Sequence, residues 1–367
     1  MNIPTLELFQ WLQQNSARAR HVFAFSIIPG ITYEKYQNLT GYSLPSNFDL
    51  NQNKDTGAQE LKEILCSQYS CQPENVVTST GGSEANFLVF LAMLRPGNEV
   101  IVEKPGYEPL YSTPTIFGAR TINWERGFEN HYQLDIGSLQ DLITKKTKLI
   151  VVTNLHNPSG VLSSKQSLQQ LAELAEERNI YVLVDEIFLD GGYNSPLSSF
   201  GLPQVIITSS MTKIYGVGGL RTGWIIAPEE IAKQCQHAKS HTTGCSPYIS
   251  EILSSHLLRY AKEQLLDRYQ SISKQNLSIV KKWMQKQHQF LDWIEPDGGV
   301  VCFLKYNSDI PSVTLCLQLM HTYGVLVVPG LYFNQEGYFR LCYGCKTHIL
   351  KEGLKILGNS LEHIISL

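Results

Sequence analysis

"TSSMTKIYGVGGLRTGW", residues 208–224, places a single lysine, Lys213, between small hydroxyl side chains and a run of glycines. The stretch follows the apolar run 205–207, and an arginine, Arg221, comes eight residues after the lysine. A lysine by itself is most often a solvated surface charge. Whether Lys213 has a chemical role therefore depends on what the rest of the chain brings to the same place.

Two other runs are of the same kind as the one before Lys213: "LIVVT" at 149–153 and "YVLVD" at 181–185. All three are short, apolar and rich in β-branched residues, which is typical of strands buried on both faces of a parallel sheet. Between the first two, from Ser164 onward, apolar residues recur at helical spacing beside a polar face. Because such βαβ units recur, we predict an α/β domain with a mainly parallel central sheet between helices.

The pattern changes past about residue 245. Residues 248–287 form a long helical stretch, followed by short strand patterns and a final amphipathic helix at 347–366. We therefore predict a large domain at 46–247, a connecting helical region at 248–287 and a smaller α+β domain at 288–367. Residues 1–45 contain no run typical of a parallel-sheet strand, so we expect them to pack on the small domain or on a partner.

Composition excludes several classes of protein. The 367 residues are 43% hydrophobic and carry a formal net charge of −3, which indicates neither a nucleic-acid partner nor an acidic membrane surface. Cys342 and Cys345 have the spacing of a metal knuckle, but no second pair accompanies them, so we expect no metal site. No apolar stretch approaches the ~20 residues of a membrane span, and no signal peptide is visible. We expect a soluble, cytoplasmic protein without a membrane partner.

Ligands of open α/β sheets bind beyond the carboxyl ends of the strands, so the residues just after each apolar run carry the most information. Gly82 and Ser83 lie in a glycine turn that opens a helix, where free backbone N–H groups suit a phosphate. An ordinary glycine turn with a serine cap is the alternative. Tyr107 follows the next strand, where a flat ring could cover an aromatic ligand.

The remaining strand ends carry an amide, a carboxylate and an amine. Asn157 begins a turn with Pro158, although its amide could equally bind a ligand oxygen. Asp185 ends a buried strand, where a carboxylate needs a compensating partner, either a salt bridge or a protonated ring nitrogen. Lys213 supplies the amine. These features together predict a pyridoxal 5'-phosphate site, with Lys213 as Schiff-base residue, Asp185 on the pyridine nitrogen and Arg221 on the phosphate.

The chain resembles the class I/II aminotransferases, which are fold-type I pyridoxal-phosphate enzymes, over roughly residues 50–345. "GGSEAN", "KPGY", "HNPSG", "VDEIF", "SMTK" and "GGLRTGW" are similar to ordered motifs of that family. The resemblance implies catalytic roles for Lys213 and Asp185. It implies that the cofactor is held by Gly82, Ser83, Tyr107, Asn157, Asp185, Ser210, Lys213 and Arg221. It further implies that Arg340, in "YFRLCYG", binds the substrate α-carboxylate together with Asn157, and that the protein is a homodimer with its sites at the interface.

The chain departs from the family pattern at two places. Phe188 stands where the family often has a tyrosine that donates a hydrogen bond to the cofactor's 3-oxygen. Upstream of "DTGAQELKE", the family often has a tyrosine that reaches the partner's phosphate, whereas this chain has "NQNKDTG". Asn51 or Asn53 are the candidates for that role, and the sequence does not choose between them.

These motifs leave more than one activity open. A pyridoxal-phosphate-dependent aminotransferase acting on an amino acid and a 2-oxo acid is the first hypothesis. A lyase, decarboxylase or cyclase using the same cofactor is the second, and Phe188 favours it slightly. A cofactor-sensing regulator would need a basic DNA-binding part, which we do not expect here. A dinucleotide dehydrogenase lacks its glycine fingerprint.

Phe188 generates a first prediction. Without the tyrosine hydroxyl, the deprotonated Schiff base is less favoured, so its pKa is expected to lie above that of family members that carry the tyrosine. Titration of the holoenzyme's visible absorbance against pH measures this value. A pKa no higher than in those relatives would refute the expectation.

Overall fold

The structure is a computed structural model that describes residues 3–365. Residues 1–2 and 366–367 lie outside the described residues. The first two belong to the predicted N-terminal segment, and the last two belong to the predicted small domain, whose final helix was expected to reach residue 366. The helices are α1 (Glu7–Asn15), α2 (Tyr33–Thr40), α3 (Gln59–Tyr69), α4 (Gly82–Met93), α5 (Glu108–Ile116), α6 (Ile136–Leu142), α7 (Lys165–Glu177), α8 (Glu229–Ser240), α9 (Tyr248–Tyr260), α10 (Lys262–Gln287), α11 (Ser312–Tyr323) and α12 (Thr347–Ile365). The strands are β1 (His21–Val22), β2 (Val76–Ser79), β3 (Glu99–Lys104), β4 (Arg120–Glu125), β5 (Thr147–Thr153), β6 (Tyr181–Asp185), β7 (Val205–Ser210), β8 (Gly223–Ile226), β9 (Leu291–Trp293), β10 (Val301–Tyr306), β11 (Val325–Leu326), β12 (Val328–Pro329) and β13 (Tyr338–Cys342).

A seven-stranded sheet forms the centre of the molecule, in the order β2-β8-β7-β6-β5-β3-β4. All neighbouring pairs are parallel except those that β8 makes with β2 and β7. The predicted α/β class, with a mainly parallel sheet between helices, is therefore confirmed.

The sheet is apolar on both faces. Within β5, Leu149 and Val151 pack in a core cluster with α4 and α8, whereas Ile150 and Val152 pack in the cluster that includes α7. Alternate side chains of one strand thus enter opposite layers. This double burial explains the continuous apolar runs, because each residue of such a strand meets a hydrophobic layer.

The register of the sheet brings three polar side chains together. Thr153 at the end of β5 pairs with Asp185 at the end of β6, and Asp185 pairs with Thr208 in β7. Residues in register on parallel strands share a face and a sheet edge. The carboxyl edge therefore carries a hydroxyl, a carboxylate and a second hydroxyl side by side.

A second, four-stranded antiparallel sheet, in the order β12-β13-β10-β9, belongs to the C-terminal part of the chain. The helical stretch 248–287 is two helices rather than one, since Ala261 between α9 and α10 has φ −133° and ψ 4°. The domain boundaries given above stay a prediction. Among residues 3–365, no helix is long and apolar enough to cross a membrane.

The N-terminal segment contains a short parallel strand, contrary to the expectation that none lies there. The two residues of β1 pair with β11 in parallel, and Phe23 N–H donates to Leu326 O at 2.8 Å. Cys342 N–H in turn donates to Phe23 O at 2.8 Å. The strand β1 was not predicted because two residues are too few to give a periodic pattern.

Gly223 allows β8 to approach the turn that follows β2. A Cβ atom at this position would lie 2.5 Å from the carbonyl carbon of Gly81 and 2.8 Å from its Cα, which are both backbone atoms. Gly219 lies in the same motif, but nothing would lie within 4 Å of a Cβ there. A side chain would therefore clash with backbone at position 223 but would have room at position 219.

We expect Gly223→Ala to lower the free energy of unfolding by about 1–3 kcal/mol, because the added methyl must push backbone aside. Gly219→Ala, the matched control, is expected to change it by no more than about 0.5 kcal/mol. Urea titrations of both variants measure the difference. Equal stability of the two variants would show that the β2–β8 contact is not tight.

Candidate active site

A cavity of about 280 Å³ lies at the carboxyl edge of the central sheet. The structure places eight of the residues predicted from the sequence on its wall: Gly82, Ser83, Tyr107, Asn157, Asp185, Lys213, Arg221 and Arg340. They come from six separate stretches of the chain. The ninth, Ser210, is buried and does not line the cavity.

Lys213 contributes an amine with few polar neighbours. Its Nζ donates to Ser26 Oγ at 3.1 Å and lies 5.9 Å from the centre of the Phe188 ring. Burial lowers the pKa of Lys213 to about 8, and the positive charge of Arg340 adds to this shift, while Asp185 opposes it. The amine therefore loses its proton at a lower pH than an ordinary lysine, which suits a nucleophile or a base.

Asp185 is 5% exposed and accepts two hydrogen bonds. Asn86 Nδ2 donates to its Oδ2 at 2.9 Å, and Ile187 N–H donates to its Oδ1 at 3.1 Å. Thr208 Oγ1 donates to Asn86 Oδ1 at 2.6 Å and so fixes the amide. Burial nevertheless raises the pKa of Asp185, so a cationic group in the cavity would stabilise its charged form.

Asn86 has a clear position but was not identified from the sequence. It lies four residues after Gly82 and therefore on the same face of α4. That spacing within "GGSEAN" was the available signal. It could not reveal the contact with Asp185, because the two residues are 99 positions apart.

Asn157 and Arg340 meet directly in the cavity wall. Arg340 Nη1 donates to Asn157 Oδ1 at 2.9 Å, and Nη2 donates to Ala24 O at 3.0 Å. The guanidinium carbon lies 4.8 Å from the centre of the Phe333 ring. Arg340 Nε is buried and has no hydrogen-bond partner among residues 3–365. Because buried donors are normally satisfied, this orphaned N–H suits an anionic ligand.

Another part of the cavity wall, at the start of α4, has the features of an anion cradle. Helix α4 begins at Gly82, and Gly81 before it has φ +88°, a conformation that favours glycine. Arg221 Nη2 donates to Thr80 O at 3.2 Å and would lie 2.5 Å from a Cβ atom on Gly81. A guanidinium and the N-terminus of a helix thus face the same space, which suits a phosphate.

Ser210 differs in position from its predicted neighbours. Its Oγ accepts a hydrogen bond from Thr212 N–H at 3.2 Å and would lie 3.7 Å from a Cβ atom on Gly82. It therefore sits beside the cradle, although it is not part of the cavity wall. Its contact with a phosphate stays a prediction.

Tyr107 and Asn157 lie on loops that a histidine joins. His156 Nε2 lies 2.8 Å from Pro105 O, so it carries the proton and donates, and Nδ1 accepts from Ser159 Oγ at 2.6 Å. Burial lowers the pKa of His156 well below its usual value, and the positive charge of Arg126 lowers it further. A neutral imidazole thus links the loop before Tyr107 to the turn that carries Asn157.

The N-terminal segment supplies cavity residues that sequence reasoning located only loosely. Leu8, Phe9 and Leu12 of α1, together with residues 24–27, line one wall. The Glu108 carboxylate accepts from the backbone N–H of Glu7 at 2.8 Å and of Leu8 at 2.7 Å, which holds the first turn of α1. Apart from Ser26, this wall is apolar.

Asn51 and Asn53 lie outside the cavity of this chain. Both are exposed, and Asn53 Nδ2 donates to Asn51 O at 3.1 Å. Any role at a partner's phosphate stays a prediction. Within the described part of the chain, no group of three or more His, Cys, Asp or Glu side chains could hold a metal ion.

Comparison with solved structures identifies the class of protein. A pyridoxal-phosphate-dependent aminotransferase from Streptococcus suis superposes with a TM-score of 0.92 and 28% identity, over 99% of each chain. The fold is that of the fold-type I pyridoxal-phosphate enzymes.

Sequence comparisons identify the family. The profile for "Aminotransferase class I and II" matches residues 49–357. Capreomycidine synthase from Streptomyces vinaceus is 27% identical over 98% of this chain and 94% of the relative. Aspartate aminotransferase from Thermotoga maritima is 27% identical over 83% of this chain and 82% of the relative. The chain therefore belongs to the class I and II aminotransferase family, and its cofactor is pyridoxal 5'-phosphate.

The cavity fits that cofactor on three observations of the structure. Asp185 is a buried carboxylate that a ring N–H⁺ would compensate, and Lys213 is a buried amine with a lowered pKa. Gly81 and Arg221 border a helix N-terminus suited to the phosphate. These donors and acceptors match the charges of the cofactor at its nitrogen, aldehyde and phosphate.

The lowered pKa of Lys213 is open to measurement. In cofactor-free protein, we expect the rate at which an amine-acylating reagent modifies Lys213 to rise with pH to a midpoint near 8, because only the neutral amine reacts. Arg340→Gln is expected to move that midpoint upward by removing a positive charge. Mass spectrometry of the Lys213 peptide gives the rates. A midpoint near the ordinary value of about 10.4 would contradict the desolvated environment.

Proposed function

We propose that this protein is a pyridoxal-phosphate-dependent aminotransferase that moves an amino group between an amino acid and a 2-oxo acid. The observation that carries the proposal is the placement of Lys213, Asp185 and the Asn157–Arg340 pair around one cavity. An amine that can move a proton then faces the same space as a guanidinium suited to a carboxylate. Aminotransferases among the relatives support the same reaction class.

The residues of this chain divide the task of holding the cofactor. Gly82, Ser83, Ser210 and Arg221 would hold the phosphate, Tyr107 the ring face, Asn157 the 3-oxygen, Asp185 the ring nitrogen and Lys213 the aldehyde. When bound, pyridoxal phosphate supplies an aldehyde carbon and an electron-accepting pyridinium ring. Asp185 keeps a proton on that nitrogen, and Asn86 keeps the carboxylate oriented.

The same residues would act on the substrate. Arg340, whose guanidinium lines the cavity, would bind the α-carboxylate. The Lys213 amine would take the proton from the substrate's α-carbon, and burial favours the neutral form that can accept it. Helix α1 contributes an apolar wall beside these groups through Leu8, Phe9 and Leu12.

A second candidate function is a lyase, decarboxylase or cyclase reaction with the same cofactor. The observation that favours it is the match to capreomycidine synthase, which covers 98% of this chain and so includes the N-terminal wall of the cavity. The match to aspartate aminotransferase covers 83%. In addition, Phe188, near Lys213, lacks the hydroxyl of the tyrosine that the family often has at this position.

Two further parts of the proposal concern the protein's setting. We infer a homodimer with the sites at the interface. Exposed apolar residues of the cavity wall support it, since Phe25 is 43% and Ile27 42% exposed in the single chain. The balanced net charge and the absence of a membrane-crossing helix among residues 3–365 are compatible with a cytoplasmic enzyme.

The test is a half-reaction with single amino acids and no 2-oxo acid. We expect the holoenzyme's visible absorbance to change to that of the amine form of the cofactor, with release of one equivalent of 2-oxo acid, and a 2-oxo acid to reverse the change. Lys213→Ala should lower the rate by more than about a hundredfold, because it removes the proton-transferring group. Lys233→Ala, an exposed lysine of α8, is the control.

Repeated turnover without a 2-oxo acid would contradict transamination. Ammonia with a 2-oxo acid, carbon dioxide, or a cyclic product from one amino acid would instead support the second candidate. Normal turnover of Lys213→Ala would exclude both.

A further inference from the structure

A buried ion pair lies beside the last residue of β5. Arg126 Nη1 donates to Glu103 Oε2 at 2.7 Å, and the side chains are 1% and 3% exposed. Arg126 Nη2 also donates to Ser163 Oγ at 2.7 Å. Burial raises the pKa of Glu103, whereas the adjacent guanidinium opposes that shift and favours the carboxylate. Neither residue lines the cavity, and the reaction described above uses neither.

Thr153 connects this pair to the cavity. Its Oγ1 donates to Glu103 Oε1 at 2.5 Å, and its own N–H donates to the same oxygen at 2.9 Å. Its carbonyl accepts from Arg126 Nη1 at 3.2 Å. Because a carboxylate only accepts, the hydroxyl proton of Thr153 must point to Glu103. The ion pair therefore fixes the direction of that hydroxyl.

The fixed hydroxyl then holds the residue that contacts the guanidinium. Because the hydroxyl proton of Thr153 points to Glu103, a lone pair of Thr153 Oγ1 is left to accept a hydrogen bond. Asn157 N–H donates to it at 2.9 Å. Asn157 Oδ1 accepts from Arg340 Nη1 at 2.9 Å. A continuous set of hydrogen bonds thus runs from the ion pair through Thr153 and Asn157 to Arg340.

We propose that Thr153 is a positioning residue for carboxylate recognition: its hydroxyl, aligned by Glu103 and Arg126, places Asn157 so that Asn157 holds the Arg340 guanidinium at the cavity wall before the ligand binds. The physical reason is preorganisation. A guanidinium already held by Asn157 and Ala24 O loses little freedom when a carboxylate binds, so its hydrogen bonds contribute more to affinity. This inference rests on the proposed role of Arg340 at the carboxylate.

Thr153→Val is the decisive variant, because it keeps the shape of the side chain and removes only the hydroxyl. Thr153→Ser keeps the hydroxyl and should retain binding. Thr147→Val is the matched control: it lies on the same strand, is 4% exposed, and loses a hydroxyl that accepts Thr144 N–H at 2.9 Å, away from the cavity.

The measurement is calorimetric binding of 3-phenylpropanoate to each holoenzyme, since this carboxylate has no amino group and cannot react. We expect Thr153→Val to weaken binding about tenfold, the equivalent of one lost hydrogen bond of about 1.4 kcal/mol. Thr153→Ser and Thr147→Val are expected to bind as the unaltered protein does. Thermal unfolding of each protein is recorded alongside, so that loss of folding is separated from loss of positioning.

Binding by Thr153→Val equal to that of the unaltered protein would overturn the proposal, and so would equal weakening by Thr147→Val. If Thr153→Val does not fold, the comparison is made between Thr153→Ser and Thr153→Ala, because these two variants differ only in the hydroxyl. Equal affinities of the two variants for 3-phenylpropanoate would again overturn the proposal. Arg340→Gln separates the two levels of inference. If it leaves binding of 3-phenylpropanoate unchanged, the proposed carboxylate site itself fails, whereas a loss confined to Arg340→Gln refutes only the role of Thr153.

Discussion

The rest of the site depends on a carboxylate that is buried at the end of a parallel strand. Asp185 is almost fully removed from water, and its charge is costly there unless donors and a cation compensate it. Asn86 and the N–H of Ile187 supply the donors. A protonated ring nitrogen would supply the cation, which makes the protein complete only with its cofactor. The register of the sheet sets this arrangement, since it puts Thr153 and Thr208 on either side of Asp185.

The second constraint is the closure of the cavity by residues far away in the chain. Ala24 O accepts from Arg340 across 316 positions, and Ser26 accepts from Lys213 across 187. Two contacts keep this segment in place: β1 pairs in parallel with β11, and the Glu108 carboxylate accepts a hydrogen bond from the first turn of α1. The N-terminal segment is therefore part of the chemical site as well as a covering for it.

Much of the fold could be predicted because its signals are local. The apolar runs at β5, β6 and β7 predicted a doubly covered sheet, and the polar residues after them predicted its functional edge. The break at Ala261 could not be predicted, since residues 248–287 contain neither glycine nor proline and their helical periodicity continues through it. The strand β1 was missed for a related reason: two residues form it, and its pairing partner lies about 300 positions away.

For the site, the sequence by itself determined which chemical groups are present: an amine at Lys213, a carboxylate at Asp185 and an arginine at Arg340, each within a recognisable motif. It did so because strand ends and glycine turns leave local patterns, and the carboxyl ends of parallel strands must meet at one edge. Only the tertiary structure decided which groups hold them, namely Asn86, Ser26 and the Glu103–Arg126–Thr153 set. Most of their contacts join residues 23 to 187 positions apart, and neither composition nor periodicity records such distances; the contact of Thr153 with Asn157, which spans four positions, is an exception.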